Sequence, residues 1–474
     1  MYKIKLIYKH IIIINIILMK FNVILAVDSK NGIGKNNELP WRFSEDLVYF
    51  KNLTTHTEIP YGVNAIIMGR KTCESLPNNF LPNRHNIVLT RSVDYKNPNV
   101  EITNSFNKAL DIAKEKQADT VWVIGGSEVY HQAFNHYKID KVYLTIIHHN
   151  FNCDTSVNLP KFKILKTSNM DLVDKKSNER YKVVNIVANV VQDSENQYLN
   201  LLNELLLEGE LRQTRNAMTF SLFSKELKFD IEESFPLLTT KRMFWKGIVE
   251  ELLFFIRGDT DSKKLEEKGV NIWKGNTSIE FIKSMGLEYD EGIMGPMYGY
   301  QWRFFNKPFY DEKGGIDQLK DLIALIKTDP HSRRLLMTDY NPSQVDQGVL
   351  YPCHSLMLQF YVKEDKLSVK MYQRSADAFL GLPFNIASTS LLLTIIAKLC
   401  SLKPSQVTIS LGDCHIYQSH QDAVLKQLSR ISYRQPKLEI PNFISLEEVE
   451  NSSLEDYKLI DYNHHSGIKA EMVA

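Results

Sequence analysis

The chain is poor in several things that would have fixed its class at once. It has only five cysteines in 474 residues, at positions 73, 153, 353, 400 and 414, with no Cys-x-x-Cys pair. That excludes a disulfide framework, fits a reducing compartment, and argues against a cysteine-rich metal site. The histidine pairs His148-His149 and His464-His465 lack the nearby cysteines that would make them zinc ligands. Net charge is only +1, so there is no general pull towards nucleic acid or an anionic membrane surface, and any anion site must be built from local arginines. No internal repeat, long charge block or low-complexity tract appears. The longest N-terminal apolar run, Ile11 to Met19, is broken by Asn15 and falls far short of the roughly 20 residues that span a bilayer.

What is present is an ordinary globular composition, 43% hydrophobic and 24% charged, at a length that calls for two or three domains. Lys3, Lys5 and Lys9 before the apolar run imitate a signal peptide, but no small-residue cleavage site follows. Cleavage near Ala26 would destroy the continuous apolar strand expected over Phe21 to Val27. Residues 1–18 are therefore read as a non-native or disordered extension, with Met19 as the working start. A short interfacial anchor is the alternative. The polar stretch 192–197, between a strand over Arg180 to Val191 and a helix from Tyr198, marks a short junction. It divides the chain into 19–191 and 198–474.

In the first half a turn-rich loop follows the strand, then Leu39-Pro40-Trp41 and a helix that Ser44 is placed to cap. Leu47, Phe50 and Leu53 share one face of that helix, and Asp46 lies beside the stripe. An acid in a first helical turn is ordinarily a surface residue favoured by the helix dipole. Gly125-Gly126, after an apolar strand and before Ser127, lets backbone N–H groups approach a diphosphate at a helix start, although a lone Gly-Gly usually marks a turn.

The order Ile33-Gly34, Leu39-Pro40-Trp41, Asp46, Phe50, Met68-Gly69-Arg70-Lys71-Thr72, Arg84, Thr90-Arg91, Val123-Ile124-Gly125-Gly126 and Tyr130 resembles dihydrofolate reductase. The resemblance implies that Asp46 accepts a bidentate pair of hydrogen bonds from a pterin ring, supported by Thr145. Phe50 and Ile124 would wall the ring, and Arg84 would hold the α-carboxylate of a folate tail. NADPH would lie along Ala26, Ile33, Gly34, Gly69, Thr90, Gly125, Gly126, Ser127, Glu128 and Tyr130. Arg70, Lys71, Thr72 and Arg91 would take its 2′-phosphate. Cys73 stands where that family usually has tryptophan, an exchange expected to loosen cofactor packing.

The second half centres on Leu350-Tyr351-Pro352-Cys353-His354. A buried inert thiol is the commoner meaning of such a cysteine, but a nearby arginine can lower a thiol pKa and make a nucleophile. With Arg215, Glu250-Glu251-Leu252-Leu253, Gly299-Tyr300-Gln301-Trp302-Arg303, Ser332-Arg333-Arg334, Gln373 to Asp377, Leu380 to Asn385 and Gly412 to Tyr417, the pattern resembles thymidylate synthase. The resemblance implies that Cys353 adds to uracil C6 and that Glu251, with a raised pKa, moves protons through ordered water. Arg215, Arg333, Arg334, Arg374 and Ser375 would hold the dUMP phosphate, the paired arginines serving the partner subunit. Asn385 would read the uracil edge, with Asp377 nearby, while His415 and Tyr417 would bond the ribose. Trp273, Asn276, Asp377, Gly381 and the terminal Ala474 would contact 5,10-methylenetetrahydrofolate.

Several positions depart from the synthase pattern. Asn216-Ala217-Met218-Thr219, Phe254, Phe304-Phe305-Asn306, Tyr340, Tyr351, Thr389, Ser419 and Met472-Val473-Ala474 all differ, while the nucleophile and phosphate arginines stand. The expected fold is an α/β reductase-like sheet domain followed by an α+β synthase-like domain. The two resemblances in this order point to the bifunctional dihydrofolate reductase–thymidylate synthase family of protists, plants and some large viruses. They imply a cytoplasmic homodimer acting on dUMP and dihydrofolate, without metal, nucleic acid or stable membrane contact. A scaffold reading, with a silent second half, is opposed by the retention of Cys353, Glu251, Asn385 and four arginines.

Overall fold

The computed structural model describes residues 21–136, 139–190, 194–215, 217–311 and 314–473. The extension 1–18, with Met19, and the terminal Ala474 lie outside these described residues, as do 192 and 193 of the junction. The chain separates into two compact units that divide between Asn196 and Gln197.

The first unit carries strands β1 (Phe21–Val27), β2 (Gly32–Gly34), β3 (Ala65–Gly69), β4 (His85–Leu89), β5 (Glu101–Thr103), β6 (Val121–Gly125), β7 (Ile139–Ile147), β8 (Thr155–Ser156), β9 (Phe162–Val173) and β10 (Arg180–Val190). Eight of them form one sheet in the order β5-β4-β3-β6-β1-β7-β10-β9, and β2 pairs with β8. The inner strands are continuous apolar runs such as Ala65-Ile66-Ile67-Met68 and Val121-Trp122-Val123, buried on both faces, as parallel strands covered by helices require. β7 pairs in parallel with β1, while β10 and β9 add antiparallel partners at one edge. The carboxyl ends of β1, β3, β4, β6 and β7 therefore share one rim, where open α/β sheets bind ligands.

Ser44 does not cap the helix Ser44–Thr55; it is the first helical residue, after an extended Phe43 that makes no side-chain cap bond. Phe43 is buried with Trp41 and Tyr181, and Asp174 accepts from Arg42 N at 2.6 Å. Anchoring of that approach segment sets the helix entry instead of a capping hydroxyl. The helix buries only Thr54 fully. Phe50 and Leu53 pack on the core, whereas Leu47 is exposed into the rim, so this stripe serves a cleft as much as a core.

The division falls within the helix Ser194–Glu208, which starts four residues earlier than expected from Tyr198; its first-turn residues Glu195 and Asn196 are buried. Strands β11 (Glu210–Gln213), β12 (Met218–Asp230), β13 (Leu336–Met337), β14 (Met357–Lys363), β15 (Lys366–Asp377) and β16 (Lys403–Tyr417) form a sheet ordered β11-β12-β16-β15-β14-β13. β15 and β16 are parallel and are joined through the helix Gly381–Leu399. Among the described residues that is the helix long and apolar enough to cross a membrane, but it is the core of this unit, with Leu391, Leu393 and Ile396 fully buried. β14 alternates cleanly: Leu358, Phe360 and Val362 face inward, while Met357 and Tyr361 are exposed. The helix Trp245–Arg257 ends at Gly258, whose φ of 72° is the left-handed stop that glycine permits. A ribbon of β17 (Lys437–Glu439) and β18 (Lys458–Ile460) completes the unit.

Candidate active sites

The rim of the first sheet opens into a cavity of about 690 Å3. Ala26, Ile33, Gly34, Asp46, Phe50, Gly69, Arg70, Lys71, Thr72, Thr90, Arg91, Ile124, Gly126, Ser127, Glu128, Tyr130 and Thr145 all line it. Asp46 Oδ1 accepts from Thr145 Oγ1 at 2.9 Å, joining the helix Ser44–Thr55 to β7. Burial raises the Asp46 pKa, and the threonine bond opposes that rise. A carboxylate with one oxygen fixed and little water around it is a strong acceptor for paired N–H donors.

Gly125 and Gly126 are joined by a cis peptide bond. A Cβ on Gly125 would lie 3.0–3.2 Å from the Tyr130 ring, and one on Gly126 would lie 3.4 Å from Thr72 Oγ1. The Tyr130 hydroxyl is 2.9 Å from the Ile24 carbonyl and 2.8 Å from that of Ile124. Its polar end thus clamps β1 to β6, so its part in the cavity is played by the ring. Arg91 meets Glu128 at 3.9 Å and Arg70 meets Glu74 at 3.8 Å, loose exposed pairs that leave the cations largely available to an anion.

Three expected features fall elsewhere. Gly125 is not among the lining residues, and neither is Arg84, which donates from Nη1 to Thr54 Oγ1 at 2.7 Å and from Nε to the Pro82 carbonyl at 3.0 Å. Cys73 does not border the cavity; it is fully buried beside Ile66, Met68 and Trp122, and its thiol donates to the Asn79 carbonyl at 2.9 Å. Tyr95 packs on the same cluster. The volume of the missing tryptophan is therefore a core matter here, and looser cofactor packing does not follow from it. Tyr49, Glu38, Asn104 and Gln132 also line the cavity and were not singled out from the sequence, where nothing distinguishes them from surface polar residues.

In the second unit Cys353 is half-buried. Its Sγ lies 3.5 Å from the Tyr298 hydroxyl, and its backbone N–H donates to that same oxygen at 3.4 Å. Arg374 N donates to the Cys353 carbonyl at 3.0 Å, while its guanidinium donates to the Pro352 and Tyr351 carbonyls at 2.6 and 2.9 Å. Burial raises the thiol pKa; the Tyr298 bond and the Arg374 charge lower it, and burial wins. The arginine does act in the expected direction, but the resting group is a thiol. Asp339 would push the thiol up further where it is ionised. It is buried, neither of its oxygens has a partner among the described residues, and its own pKa is raised far above the ordinary range by burial.

Glu251 projects from the helix Trp245–Arg257, and burial pushes its pKa up to about 7, opposed by Trp273 Nε1, which donates to Oε1 at 2.8 Å. Its neighbour Glu250 is instead paired with Lys268 at 2.6 Å. Trp273 tilts against Tyr298, and Tyr298 stacks on His354 at 4.6 Å. Tyr298 thus links the Glu251 and Cys353 groups, although no sequence motif marks it beyond its place before Gly299. It holds an unusual φ of 47°.

β15 and β16 bring Ser375 opposite Asp413 and Asp377 opposite His415. Asp413 Oδ1 is 2.9 Å from His415 Nδ1, and the rings of His415 and Tyr417 meet edge-on. Asp377 Oδ1 accepts from Phe379 N and Leu380 N, fixing the turn into the helix that begins at Gly381. Asn385, on that helix, accepts at Oδ1 from Gln373 Nε2 at 3.0 Å. Arg215, Arg333 and Arg334 are exposed, Arg215 after β11 and the pair just before β13. Asn276 is half-buried in the turn after Trp273. The C-terminal segment is docked through His420 Nε2, which donates to the Glu471 carbonyl at 2.7 Å. Among the described residues no three His, Cys, Asp or Glu side chains gather to hold a metal ion, and all five cysteines are free.

A family model described as dihydrofolate reductase matches residues 20–188, and one described as thymidylate synthase matches residues 196–474. The chain is 37% identical to the bifunctional dihydrofolate reductase-thymidylate synthase of Zea mays, over 95% of this chain and 96% of that protein. It is 38% identical to the protein of the same description from Paramecium tetraurelia, over 95% and 98%. Its identity to the Leishmania major protein is 36%, over 96% and 95%.

Proposed function

The chain belongs to the bifunctional dihydrofolate reductase–thymidylate synthase family, and from that premise we propose how its own residues divide the work. It is an enzyme of dTMP synthesis with two activities: methylation of dUMP, which yields dihydrofolate, and reduction of dihydrofolate to tetrahydrofolate. The two families use methylenetetrahydrofolate and NADPH, and the first cavity fits the latter. Its Gly69 and Gly126 approach leaves room for backbone contact, and exposed Lys71 and Arg91 with half-buried Arg70 stand beside it for a phosphate.

In the reductase unit Asp46 holds the pterin ring through two N–H donors, and Thr145 fixes the carboxylate that does so. Phe50 and Ile124 exclude water from the ring. NADPH supplies the hydride when bound. Asp46 promotes protonation of the adjacent ring nitrogen by concentrating negative charge where the ring acquires a positive one.

In the synthase unit Cys353 loses its proton and adds to C6 of the uracil ring, so that C5 attacks the one-carbon unit. Arg374 favours the thiolate as it forms, and Tyr298 donates to the sulfur. Glu251, poised at about 7, accepts and returns protons at neutral pH. Asn385 reads the uracil edge, its rotamer anchored by Gln373. Arg215 and Ser375 take the phosphate, His415 and Tyr417 the ribose, while Asn276, Asp377 and Gly381 face the folate.

The single observation that carries the synthase assignment is the pairing of a hydrogen-bonded thiol with a carboxyl whose pKa is near 7, both anchored around Tyr298 and Trp273. The homodimer is supported by the outer face of the synthase sheet, where Leu336, Met357, Tyr361 and Tyr372 are exposed together. Arg333 and Arg334 precede β13 at the edge of that face, where they would reach a partner's nucleotide. The protein acts in the cytoplasm on small molecules alone. Mixing Arg333→Ala with Cys353→Ala, each inactive as a synthase, tests the reading: shared sites restore activity through mixed dimers, and no recovery refutes the crossing of arginines.

A further inference from the structure

Behind Asp46, on the side away from the main cleft, lies a second cavity of about 140 Å3 lined by Glu45, Asp46, Tyr49, Met170, Leu172 and Asn185. Asp46 and Tyr49 border both spaces and so form the wall between them. Asn185 sits on β10 directly opposite Thr145 on β7, the residue that bonds Asp46. The Asn185 Oδ1 atom is buried and has no hydrogen-bond partner among the described residues. A buried acceptor left unpaired is costly, so the space beside it, bordered also by the polar groups of Glu45, Asp46 and Tyr49, is a place for water. One water needs on the order of 10–15 Å3 of such space and two to four polar partners, and this cavity offers room for several.

We propose that this rear cavity is a water-filled proton inlet to the reductase site, with Asn185 as the residue that positions its water against Asp46. In the reading above, a pterin and a nicotinamide in the main cleft would cover the face of Asp46 that lines it. The reaction still consumes one proton from solvent per turnover. Through the inlet, a proton given up by a hydronium ion or buffer acid at the exposed Glu45 mouth passes along cavity water to Asp46, each O–H bond breaking as the next one forms. Asp46 then releases it towards the ring's imine nitrogen, its own O–H bond breaking as the N–H bond forms, and the carboxylate is restored. No electrons move in this step. The titratable groups facing the path are Glu45 and Tyr49 on the same helix; Tyr143 of β7 acts on Tyr49, and Met170 and Leu172 of β9 contribute none. The ends of the path differ in exposure as an inlet requires, with Glu45 open to solvent and Asp46 half-buried.

The inference rests on the reading of Asp46 as the ring-binding carboxylate, and the experiment keeps the two separate. Full-length protein is given dihydrofolate and NADPH in a stopped-flow instrument, in H2O and in D2O, across neutral and alkaline pH. Asn185→Leu removes the acceptor and fills its space with a side chain of similar size. Asn185→Ser keeps a hydroxyl, leaves room for one more water, and guards against a folding defect in the first variant. Expected for Asn185→Leu is a hydride-transfer rate about tenfold lower with a larger solvent isotope effect, because protonation becomes limiting, while dihydrofolate affinity stays within about twofold. Asn185→Ser should stay close to the parent. An unchanged rate and isotope effect in Asn185→Leu overturns the inlet, as does a loss confined to dihydrofolate affinity or shared equally by Asn185→Ser. If Asp46→Asn retains full reductase activity, the reading of Asp46 fails instead. A crystal structure of the ternary complex gives a direct check: ordered water bonded to Asn185 Oδ1 and Asp46 is expected, and a dry cavity contradicts the proposal.

Discussion

Replacing Trp273 with phenylalanine should move the acidic limb of the synthase pH profile. In the structure Trp273 Nε1 donates to Glu251 Oε1 at 2.8 Å, and this bond is what offsets burial in leaving the glutamate at about 7. A hydrogen bond to a charged group contributes about 1.5–3 kcal/mol, and 1.36 kcal/mol corresponds to one pKa unit. Losing the donor disfavours the ionised form, so the Glu251 pKa rises by about one unit or somewhat more. At pH 7 the ionised fraction then falls from about one half to about one tenth, which predicts a kcat about fivefold lower at pH 7 and recovery towards pH 9. The assay is dihydrofolate formation from dUMP and methylenetetrahydrofolate at saturating substrate, pH 5.5 to 9. Saturation matters because Trp273 is also assigned to the folate, and weaker binding alone would appear in KM without moving the kcat limb. A kcat depressed equally at every pH, or a limb that stays in place, refutes the coupling of Trp273 to Glu251.

Tyr298→Phe removes the hydroxyl that lowers the Cys353 pKa, so the thiol should rise further and react about tenfold more slowly with iodoacetamide at pH 8; an unchanged alkylation rate would show that the 3.5 Å contact does not stabilise the thiolate. Asp339→Asn should stabilise the protein by about 1–3 kcal/mol at neutral pH, because it replaces a buried carboxyl with no described partner. The sign follows from linkage: a carboxyl raised in the folded state contributes its stability below the unfolded value, about 3.9, and loses it as pH rises. The melting-temperature gap between variant and parent should therefore open from pH 4 to pH 8, and coincident curves at pH 8 would count against it. Met357→Glu, on the exposed sheet face, should shift sedimentation from dimer to monomer and abolish synthase turnover while leaving dihydrofolate reduction in place; a dimeric variant would move the interface elsewhere.

The fold class was legible through the two family resemblances, and the local patterns seen in the structure agree with it. Ala65 to Met68 and Val121 to Ile124 are too uniformly apolar for half-exposed strands, and β14 alternates at a period of two. The candidate site residues could be named for a related reason, since Asp46, Gly126, Cys353 and Asn385, on helices, a turn and a loop, sit at fixed offsets from motifs that carry the resemblances. Pairings across the chain were not legible. Tyr298 meets Cys353 from 55 residues away, and Asn185 faces Thr145 through sheet register alone. Ser44 misled for the same reason, because a capping residue type was overridden by the buried anchor of Phe43 beside it. Cys73 was read by position as part of the cofactor wall, yet its burial depends on Tyr95, a partner that no local pattern supplies.

That one chain both makes and consumes dihydrofolate is tested most directly by supplying the full-length protein with dUMP and methylenetetrahydrofolate in the absence of NADPH. Absorbance should rise as dihydrofolate forms, the rise should vanish in Cys353→Ala, and later addition of NADPH should reverse it through a step that Asp46→Asn stops. No rise from the parent protein, with supplied dihydrofolate still reduced, would contradict the account by showing a synthase half that holds its residues in place without using them.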